Sequence, residues 1–167
     1  MKSNVFDLYY IDLNYLKFLH SIDSEVYYSE KYLKNKKPFL GIIMILNKDI
    51  NFFIPFSSPK DKHKKFPQRS NSYVLMKDKS GYALGLLDIR KMIPVRSDLY
   101  EKVDFSKIKE RGYKVLLSKQ LKFCNENFDS IKIKSQITYK KQTEREKTLK
   151  YHCNYKKLEN DMKNYKN

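Results

Sequence analysis

The sequence predicts an α+β fold in which a β-rich core, about residues 5–105, is followed by a helical part, about residues 109–167. An apolar run at residues 39–46 is rich in Ile and too short for a helix of ordinary length, so it predicts a strand buried on both faces. A second apolar run at residues 52–56 follows a short polar patch and predicts a hairpin partner. After Lys109 the apolar residues recur every three or four positions, as they do in an amphipathic helix. We expect this helix to pack on an antiparallel sheet.

The composition indicates one globular domain, residues 1–167, that binds a polyanion. The 41% of hydrophobic residues, with 14 Tyr and 10 Phe, are enough to bury a core. The 35 Lys and Arg outnumber the 19 Asp and Glu, and the net charge of +16 is spread along the whole chain. Such a charge favours a polyanionic partner, most often a nucleic acid. The competing interpretation is that a composition rich in Lys, Asn and Tyr reflects an AT-rich genome.

The sequence lacks the signatures of several other protein classes. Cys124 and Cys153 have no spacing typical of a disulfide framework or a zinc site, which indicates a reducing compartment. No apolar run approaches the length of a membrane span and no signal-peptide pattern is present, so we expect a cytoplasmic protein without membrane contact. There is no Gly-rich nucleotide loop or HExxH motif, and the acidic residues near the hairpin form no compact metal-binding pair. We therefore expect no metal and no cofactor, so that a nuclease here would be metal-independent.

The first elements are a strand and a short helix. Residues 5–11 carry β-favouring side chains and predict a first strand. Asp12 is a suitable N-cap for a helix whose apolar residues follow the helical period, and Phe18 and Leu19 are expected in the core. Tyr15 lies on the same helix and has two interpretations, a packing residue or a functional one.

The segment 21–37 has no apolar periodicity and predicts a basic, aromatic loop. Its side chains of interest are Tyr27, Tyr28, Lys31, Tyr32, Lys34, Lys36 and Lys37. Interleaved Tyr and Lys side chains are suited to stacking nucleobases and holding phosphates. The alternative is a solvated loop whose rings lie on the surface.

The predicted hairpin brings cations and hydroxyl groups together. Its turn is expected at residues 47–49, and its far end is expected to stop at Pro55 and Pro59. Because the start of one antiparallel strand lies beside the end of the next, Lys37 should lie near the residues that leave the hairpin. These are Ser57, Ser58 and Lys60. Cations and small donors at one rim of a sheet suit a phosphate group.

The rest of the β-rich part contains one basic loop and several strands. Residues 61–69 predict an exposed loop with RNA-binding side chains at Lys62, His63, Lys64, Lys65 and Arg69. His63 has three interpretations: an acid or base, a phosphate contact, or no role. Strands are predicted at 73–76 and 83–89, with a turn between them at 77–81. Residues 90–95 predict another turn, followed by a short strand with a proline at its edge.

Three helical segments are predicted in the C-terminal part. The first, residues 109–128, is amphipathic and packs on the sheet. The second, residues 130–151, has few apolar anchors and is expected to be largely exposed or to face a partner. A short terminal helix at 155–165 has Leu158 and Met162 four residues apart, and its lysines fit either RNA contact or fraying.

Five segments, taken together and in order, resemble the ToxN/AbiQ family of endoribonuclease toxins from type III toxin-antitoxin systems. The resemblance begins at Tyr15 and extends to the helix that contains Gln120. Its segments are Lys37-Pro38-Phe39-Leu40-Gly41-Ile42-Ile43, Ile54-Pro55-Phe56-Ser57-Ser58-Pro59-Lys60, Leu84-Gly85-Leu86-Leu87, Met92-Ile93-Pro94-Val95 and Leu117-Ser118-Lys119-Gln120-Leu121-Lys122-Phe123. None of these motifs is specific alone.

The resemblance implies a compact, strongly twisted, barrel-like antiparallel sheet flanked by helices, similar to the MazF/Kid toxin fold. It implies sequence-preferring, metal-independent RNA cleavage that yields 2′,3′-cyclic phosphate and 5′-hydroxyl ends. The implied partner is an RNA antitoxin, a pseudoknot cut from a repetitive transcript and bound in a basic groove, and in several members toxin and RNA close into a ring. The implied biological role is phage defence by abortive infection.

The resemblance also implies site residues. The Thr-Ser-Pro-Lys catalytic loop of the family matches Ser57-Ser58-Pro59-Lys60, with Ser in place of Thr, so the hydroxyl is kept. The family's lysine before the core strand falls on Lys37, its helix tyrosine on Tyr15, and its loop tyrosine on Tyr32 or Tyr28. RNA contacts are expected at Lys31, Lys34, Lys36, Lys119 and Gln120, besides those of the basic loop.

The chemistry of the matched residues suits cleavage by the 2′-hydroxyl of the RNA. Lys37 and Lys60 can stabilise the phosphate, and one of them can act as a base if cationic neighbours lower its pKa. Ser57 and Ser58 can hold phosphate oxygens, while the tyrosines orient the ribose or transfer a proton. The alternative function is a non-catalytic RNA-binding module. A DNA-binding regulator is a weaker third possibility, because the sequence contains no recognition helix with a dimer seam.

Overall fold

The computed structural model describes residues 5–44, 49–65, 67 and 69–167, and the side chains of Met44 and Lys64 lie outside this description. The strands are β1 (Asp7–Ile11), β2 (Phe39–Met44), β3 (Asn51–Ser57), β4 (Val74–Lys77), β5 (Ala83–Leu87), β6 (Ile93–Pro94) and β7 (Tyr100–Lys102). The α-helices are α1 (Leu13–Ile22), α2 (Arg111–Glu126), α3 (Phe128–Thr143) and α4 (Tyr155–Asn164). Short 3₁₀ helices lie at Glu30–Leu33, Asp61–Lys65, Ile89–Lys91, Ser97–Leu99 and Phe105–Lys107. The α+β prediction is confirmed.

The seven strands form one antiparallel sheet in the described part of the chain. Its order is β4, β5, β3, β2, β1 and β7, and β6 pairs with β3. The predicted hairpin is confirmed, because Phe39 of β2 pairs with Pro55 of β3 and Leu40 pairs with Ile54. The turn expected at residues 47–49 falls largely outside the described residues.

Strand β3 is the centre of the sheet. On one side it pairs with β2 along most of its length; on the other, its first half pairs with β6 and its last two residues pair with β5. The prediction that Pro55 stops this strand was wrong, since β3 continues to Ser57. Pro55 lies between the part of β3 that pairs with β6 and the part that pairs with β5, where its missing N–H group breaks no ladder. Its carbonyl accepts a hydrogen bond from the Asp88 N–H at 3.1 Å.

The helices cover the sheet and complete one hydrophobic core. Helix α1 is capped as expected, because Oδ1 of Asp12 accepts a hydrogen bond from the Tyr15 N–H at 2.9 Å. Helix α2 packs on β4 and β5, whereas α4 packs on β6 and α1. None of the helices in the described residues is both long and apolar enough to be a candidate membrane span.

Helices α3 and α4 depart from the expectations for the C-terminal part. Most of the second segment is exposed, as expected, but α3 ends at Thr143 and one of its faces buries Ile131 and Tyr139. Polar side chains explain the weak apolar pattern: Ser135, Thr138 and Gln142 are buried too, and each donates a hydrogen bond to a backbone carbonyl. Helix α4 inserts Tyr155, Leu158 and Met162 into the core. Strand β7 and the 3₁₀ helices were not predicted.

Candidate active site

The end of β3 forms an exposed rim of hydroxyl groups and one cation. Ser57 is half-buried, whereas Ser58, Pro59 and Lys60 are exposed. The 3₁₀ helix Asp61–Lys65 follows at once and fixes the rim through His63. Nδ1 of His63 accepts a hydrogen bond from the Lys60 N–H at 3.1 Å, and the Lys60 carbonyl accepts one from the His63 N–H at 2.9 Å. This reciprocal pair holds the backbone of Lys60 in one conformation.

A buried ion pair lies beneath this rim. The carboxylate of Asp88 is completely buried, and Arg90 donates to it through two hydrogen bonds, from Nε at 2.9 Å and from a terminal nitrogen at 3.0 Å. The Tyr27 hydroxyl donates a third hydrogen bond to Asp88 at 3.0 Å. Ser57 lies close enough to Tyr27 to influence the pKa of the Tyr27 hydroxyl, while the Ser57 hydroxyl itself donates to the Ser58 carbonyl at 3.4 Å.

The sheet and two ion pairs bring Ser57 beside the hydrogen-bonded Tyr27-Asp88-Arg90 chain. Asp88 directly follows β5, whose Leu87 pairs with Phe56, so the carboxylate is held beside the end of β3. Tyr27 comes from the loop after α1, where the preceding Val26 is buried in the core. Glu25 of the same loop forms an ion pair with Lys91, three residues after Asp88. The loop is therefore fixed against the segment that carries Asp88 and Arg90.

The surroundings set the protonation states of the two central titratable side chains. Burial, followed by the Asp88 charge, raises the pKa of Tyr27 well above its usual value, so its hydroxyl keeps its proton. Burial and the charges of Lys62 and Lys60 lower the pKa of His63, so its imidazole is neutral and can accept the Lys60 N–H. The Tyr27 hydroxyl can thus serve as a hydrogen-bond donor, while His63 positions the rim.

Lys37 lies at the start of β2, next to the same end of β3. The pairing of Phe39 with Pro55, extended by two residues, sets residue 37 opposite Ser57. Lys37 is exposed and lines a cavity of about 780 Å³ with Tyr10, Lys34 and Tyr113. By strand register Lys37 and Lys60 lie at the same end of the sheet, and they line different cavities.

The tyrosines suggested by the resemblance make no hydrogen bond to the rim within the described residues. Tyr15 is 0% exposed, and its hydroxyl donates to the Pro94 carbonyl at 2.5 Å. The expectation of a catalytic Tyr15 is therefore corrected: the side chain is in the core and cannot touch RNA in this structure. Tyr32 is half-buried, and its ring meets the edge of Tyr28 at 6.3 Å. In the part of the chain that the structure describes, it is Tyr27 that reaches Ser57.

Most of the expected RNA-binding side chains are exposed. They are Lys31, Lys34, Lys36, Lys62, Lys65, Arg69 and Lys119, while the side chain of Lys64 lies outside the described residues. Two expectations are corrected. Gln120 is 5% exposed and donates to the Leu84 carbonyl at 2.8 Å, so it ties α2 to β5. His63 is 4% exposed and supports the rim instead of presenting a surface contact.

Sequence reasoning missed Tyr27 as a site residue, and also Asp88 and Arg90. One signal was present: a charged pair at spacing two ends an apolar strand, and charged residues are almost never fully buried unless they are paired. Within the described residues, no group of three or more His, Cys, Asp or Glu side chains is arranged to hold a metal ion.

Comparisons with known proteins identify the family of this chain. The family model "Toxin ToxN, type III toxin-antitoxin system" matches residues 7–163. The endoribonuclease ToxN of Pectobacterium atrosepticum is 30% identical over 130 residues, which cover 76% of this chain and 75% of that protein.

Two solved structures share the fold. One, from work on a bacterial antiviral system regulated by a processed non-coding RNA, has a TM-score of 0.85 and 27% identity, and the match covers 96% of this chain and 99% of that one. The other is AbiQ, a lactococcal anti-phage endoribonuclease of a type III toxin-antitoxin system, with a TM-score of 0.82, 25% identity and coverage of 97% and 98%. Because the family model spans nearly the whole chain, this protein belongs to the ToxN toxin family of type III toxin-antitoxin systems.

Proposed function

We propose that this single-domain protein is an endoribonuclease toxin that cleaves RNA without a metal ion, by attack of the RNA's own 2′-hydroxyl. The observation that carries the proposal is the hydrogen-bonded chain Tyr27-Asp88-Arg90, which lies beside Ser57 next to the exposed Ser58 and Lys60. Its support from relatives is that the ToxN of Pectobacterium atrosepticum and AbiQ are both endoribonucleases.

The reaction requires two proton movements and one stabilised charge. The 2′-oxygen bonds to phosphorus, the bond from phosphorus to the 5′-oxygen breaks, and the products are a 2′,3′-cyclic phosphate and a 5′-hydroxyl. The proton of the 2′-hydroxyl passes to Ser57, which gives its own proton to Tyr27, whose proton moves to Asp88. Acid-base assistance of this kind contributes about 10² to 10⁴-fold to a rate.

The cations and the second serine complete the site. Ser58 and Lys60 donate hydrogen bonds to the non-bridging phosphate oxygens, where negative charge grows during the reaction. Lys37, beside Ser57 by strand register, donates a proton to the departing 5′-oxygen. Arg90 holds the Asp88 carboxyl group in place through two hydrogen bonds. No covalent intermediate with Ser57 or Ser58 is needed, because the nucleophile belongs to the RNA.

The proposed inhibitor is an RNA antitoxin, a pseudoknot repeat that the toxin itself cuts from its precursor. The basic cavity lined by Lys34, Lys36, Lys37, Lys107 and Lys109 offers a polyanion surface that adjoins the rim through Lys37. A type III relative of the same fold is inhibited by a non-coding RNA pseudoknot. Short tandem repeats upstream of the coding region, ending in a terminator, would identify this antitoxin.

The wider role follows from the family. The toxin cleaves cellular or phage RNA in the cytoplasm with a sequence preference, arrests growth during infection and so limits phage by abortive infection. Toxin and antitoxin RNA assemble into a hetero-oligomer, which we propose closes into a ring. The twisted sheet is proposed to resemble that of the MazF and Kid toxins.

The test is cleavage of single-stranded RNA by the purified protein in EDTA. We expect the parent protein to cut, and Ser58→Ala to lose cutting while it still binds RNA. The matched control is Ser118→Ala, an exposed serine on α2 whose hydroxyl donates only to the Lys114 carbonyl at 2.9 Å, and this variant should cut like the parent. Binding without cutting by the parent would instead identify a non-catalytic RNA-binding module. Preference for duplex DNA in competition would indicate a DNA-binding regulator.

A further inference from the structure

A second cavity opens on the Lys60 side of the rim, and the mechanism above does not use it. Its volume is about 740 Å³, large enough for a nucleotide. Pro59 and Lys60 form one wall, and the hairpin of β4 and β5 forms another with Tyr73 and Tyr82. The junction of α2 and α3 closes the far side. An RNA strand whose phosphate lies on Lys60 would therefore pass the mouth of this cavity.

Tyr82 is an aromatic side chain held out into solvent by a rigid turn. It is 69% exposed, one of the largest exposed fractions among the described hydrophobic side chains. Oδ1 of Asp78 accepts hydrogen bonds from the Tyr82 N–H at 3.0 Å and the Ser80 N–H at 2.9 Å, while the Tyr82 carbonyl accepts one from the Asp78 N–H at 3.0 Å. Gly81 supplies the positive φ of 85° that the turn requires. A fixed, solvated ring of this kind is a ready stacking surface.

The rest of the cavity matches one unpaired nucleotide. Its lining includes the apolar side chains of Val74 and Ile131 and the cationic side chains of Lys60, Lys77 and Lys134, together with the carboxylate of Asp61. Apolar side chains, an aromatic wall and cations are the combination that holds a base by its face and its phosphate by charge. A paired base in a duplex could not enter, because its edges and faces are already covered.

We propose that this cavity binds an unpaired nucleobase next to the scissile phosphate and that Tyr82 stacks on it, which makes Tyr82 a specificity-determining residue. The inference rests on the proposed function only in placing the scissile phosphate at Lys60. It assigns the substrate as single-stranded at that position. It also makes recognition of the flanking base depend on the β4–β5 hairpin.

Binding, not cleavage, tests this inference, so that its outcome is separate from that of the proposed function. We would use 2′-O-methyl RNA oligomers, which have no attacking hydroxyl, and scan a single abasic position along them by fluorescence anisotropy. For the parent we expect one position at which the abasic residue weakens binding about tenfold or more, the size typical of one lost base stack. Tyr82→Ala should bind the intact oligomer about as weakly as the parent binds the oligomer with the abasic residue at that position. Placing the abasic residue there should not weaken the binding of Tyr82→Ala further.

Two control variants separate stacking from general effects. Tyr82→Phe keeps the ring and should bind like the parent. Tyr151→Ala removes another exposed tyrosine, 54% exposed and distant in sequence from the cavity, and should keep the full abasic penalty. The inference is overturned if Tyr82→Ala shows the same abasic penalty as the parent at every position, or if the parent binds no oligomer. Loss of RNA cutting alone would bear on the proposed function and not on this cavity.

Discussion

Replacing Tyr27 by Phe removes one hydroxyl from the centre of the site and keeps the ring that fills its space. The lost hydroxyl donates to the buried carboxylate of Asp88 at 3.0 Å and lies beside Ser57. A hydrogen bond to a charged group contributes about 1.5 to 3 kcal/mol to stability. For a chain of this length, a loss of that size lowers Tm by about 3 to 12 °C. Because Arg90 still neutralises Asp88, the variant should fold.

The effect of Tyr27→Phe on cleavage should be larger than its effect on stability. The path for the 2′-hydroxyl proton is broken, so kcat should fall by about 100-fold or more. The affinity for RNA should change by less than about threefold, since no charge that meets phosphate is removed. The assay is single-turnover cleavage of a labelled RNA at a temperature well below Tm, with affinity measured on a 2′-O-methyl analogue.

Matched variants test whether the loss of cleavage is specific to the Tyr27 hydroxyl. Tyr28→Phe and Tyr32→Phe remove hydroxyls from neighbouring positions on the same loop and should cut at close to the parent rate. The reasoning is refuted if Tyr27→Phe cuts like the parent, or if Tyr32→Phe loses as much activity as Tyr27→Phe.

Three further predictions concern the framework around the site. Tyr15→Phe should lower the free energy of unfolding by about 1 to 3 kcal/mol, because it leaves the buried Pro94 carbonyl without its partner, yet RNA cleavage should be unchanged; urea melts and cleavage rates check this. Gly41→Ala should destabilise by about 1 to 3 kcal/mol or more, because a Cβ there would lie 2.5 Å from ring atoms of Phe53; a normal melting curve would contradict it. Burial and the Arg90 charge lower the pKa of His152 to about 4. The free energy of unfolding should therefore stay at its full value above about pH 6.5 and fall as the pH drops from there toward 4. His152→Gln should flatten this slope in melts measured across pH.

The elements set by local signals could be predicted from the sequence. The hairpin of β2 and β3 follows from two apolar runs, and the cap of α1 follows from one Asp before a helical pattern. The antiparallel pairing of Phe39 with Pro55 also agrees with the strand directions on which the predicted approach of Lys37 to Ser57 depends.

The choice of tyrosine could not be predicted, since it depends on contacts between distant parts of the chain. Tyr27, Tyr28 and Tyr32 occur in similar local sequence. Tyr27 faces Ser57 because Val26 is buried before it and Glu25 pairs with Lys91, which is 66 positions away. No local pattern encodes such a contact.

Buried polar side chains account for the other errors. The resemblance implied a role at the RNA for Tyr15, and Gln120 was expected to contact RNA. Each is buried instead, and its side chain donates a hydrogen bond to a backbone carbonyl, that of Pro94 or of Leu84. A sequence does not show which backbone carbonyl is available inside the fold. Residue type alone therefore cannot distinguish a buried, hydrogen-bonded core residue from a functional one. The buried face of α3 was not predicted for the same reason, because its Ser135, Thr138 and Gln142 are polar.

The chemistry of the RNA ends tests the central claim most directly. The purified protein is incubated with single-stranded RNA in EDTA, and the new ends are analysed by treatment with phosphatase and kinase and by mass spectrometry. Attack by the 2′-hydroxyl predicts 2′,3′-cyclic phosphate and 5′-hydroxyl ends, formed in EDTA and absent when the scissile nucleotide is 2′-deoxy. Cleavage of the 2′-deoxy substrate, or 3′-hydroxyl and 5′-phosphate ends, would contradict the mechanism assigned to Ser57, Tyr27 and Asp88.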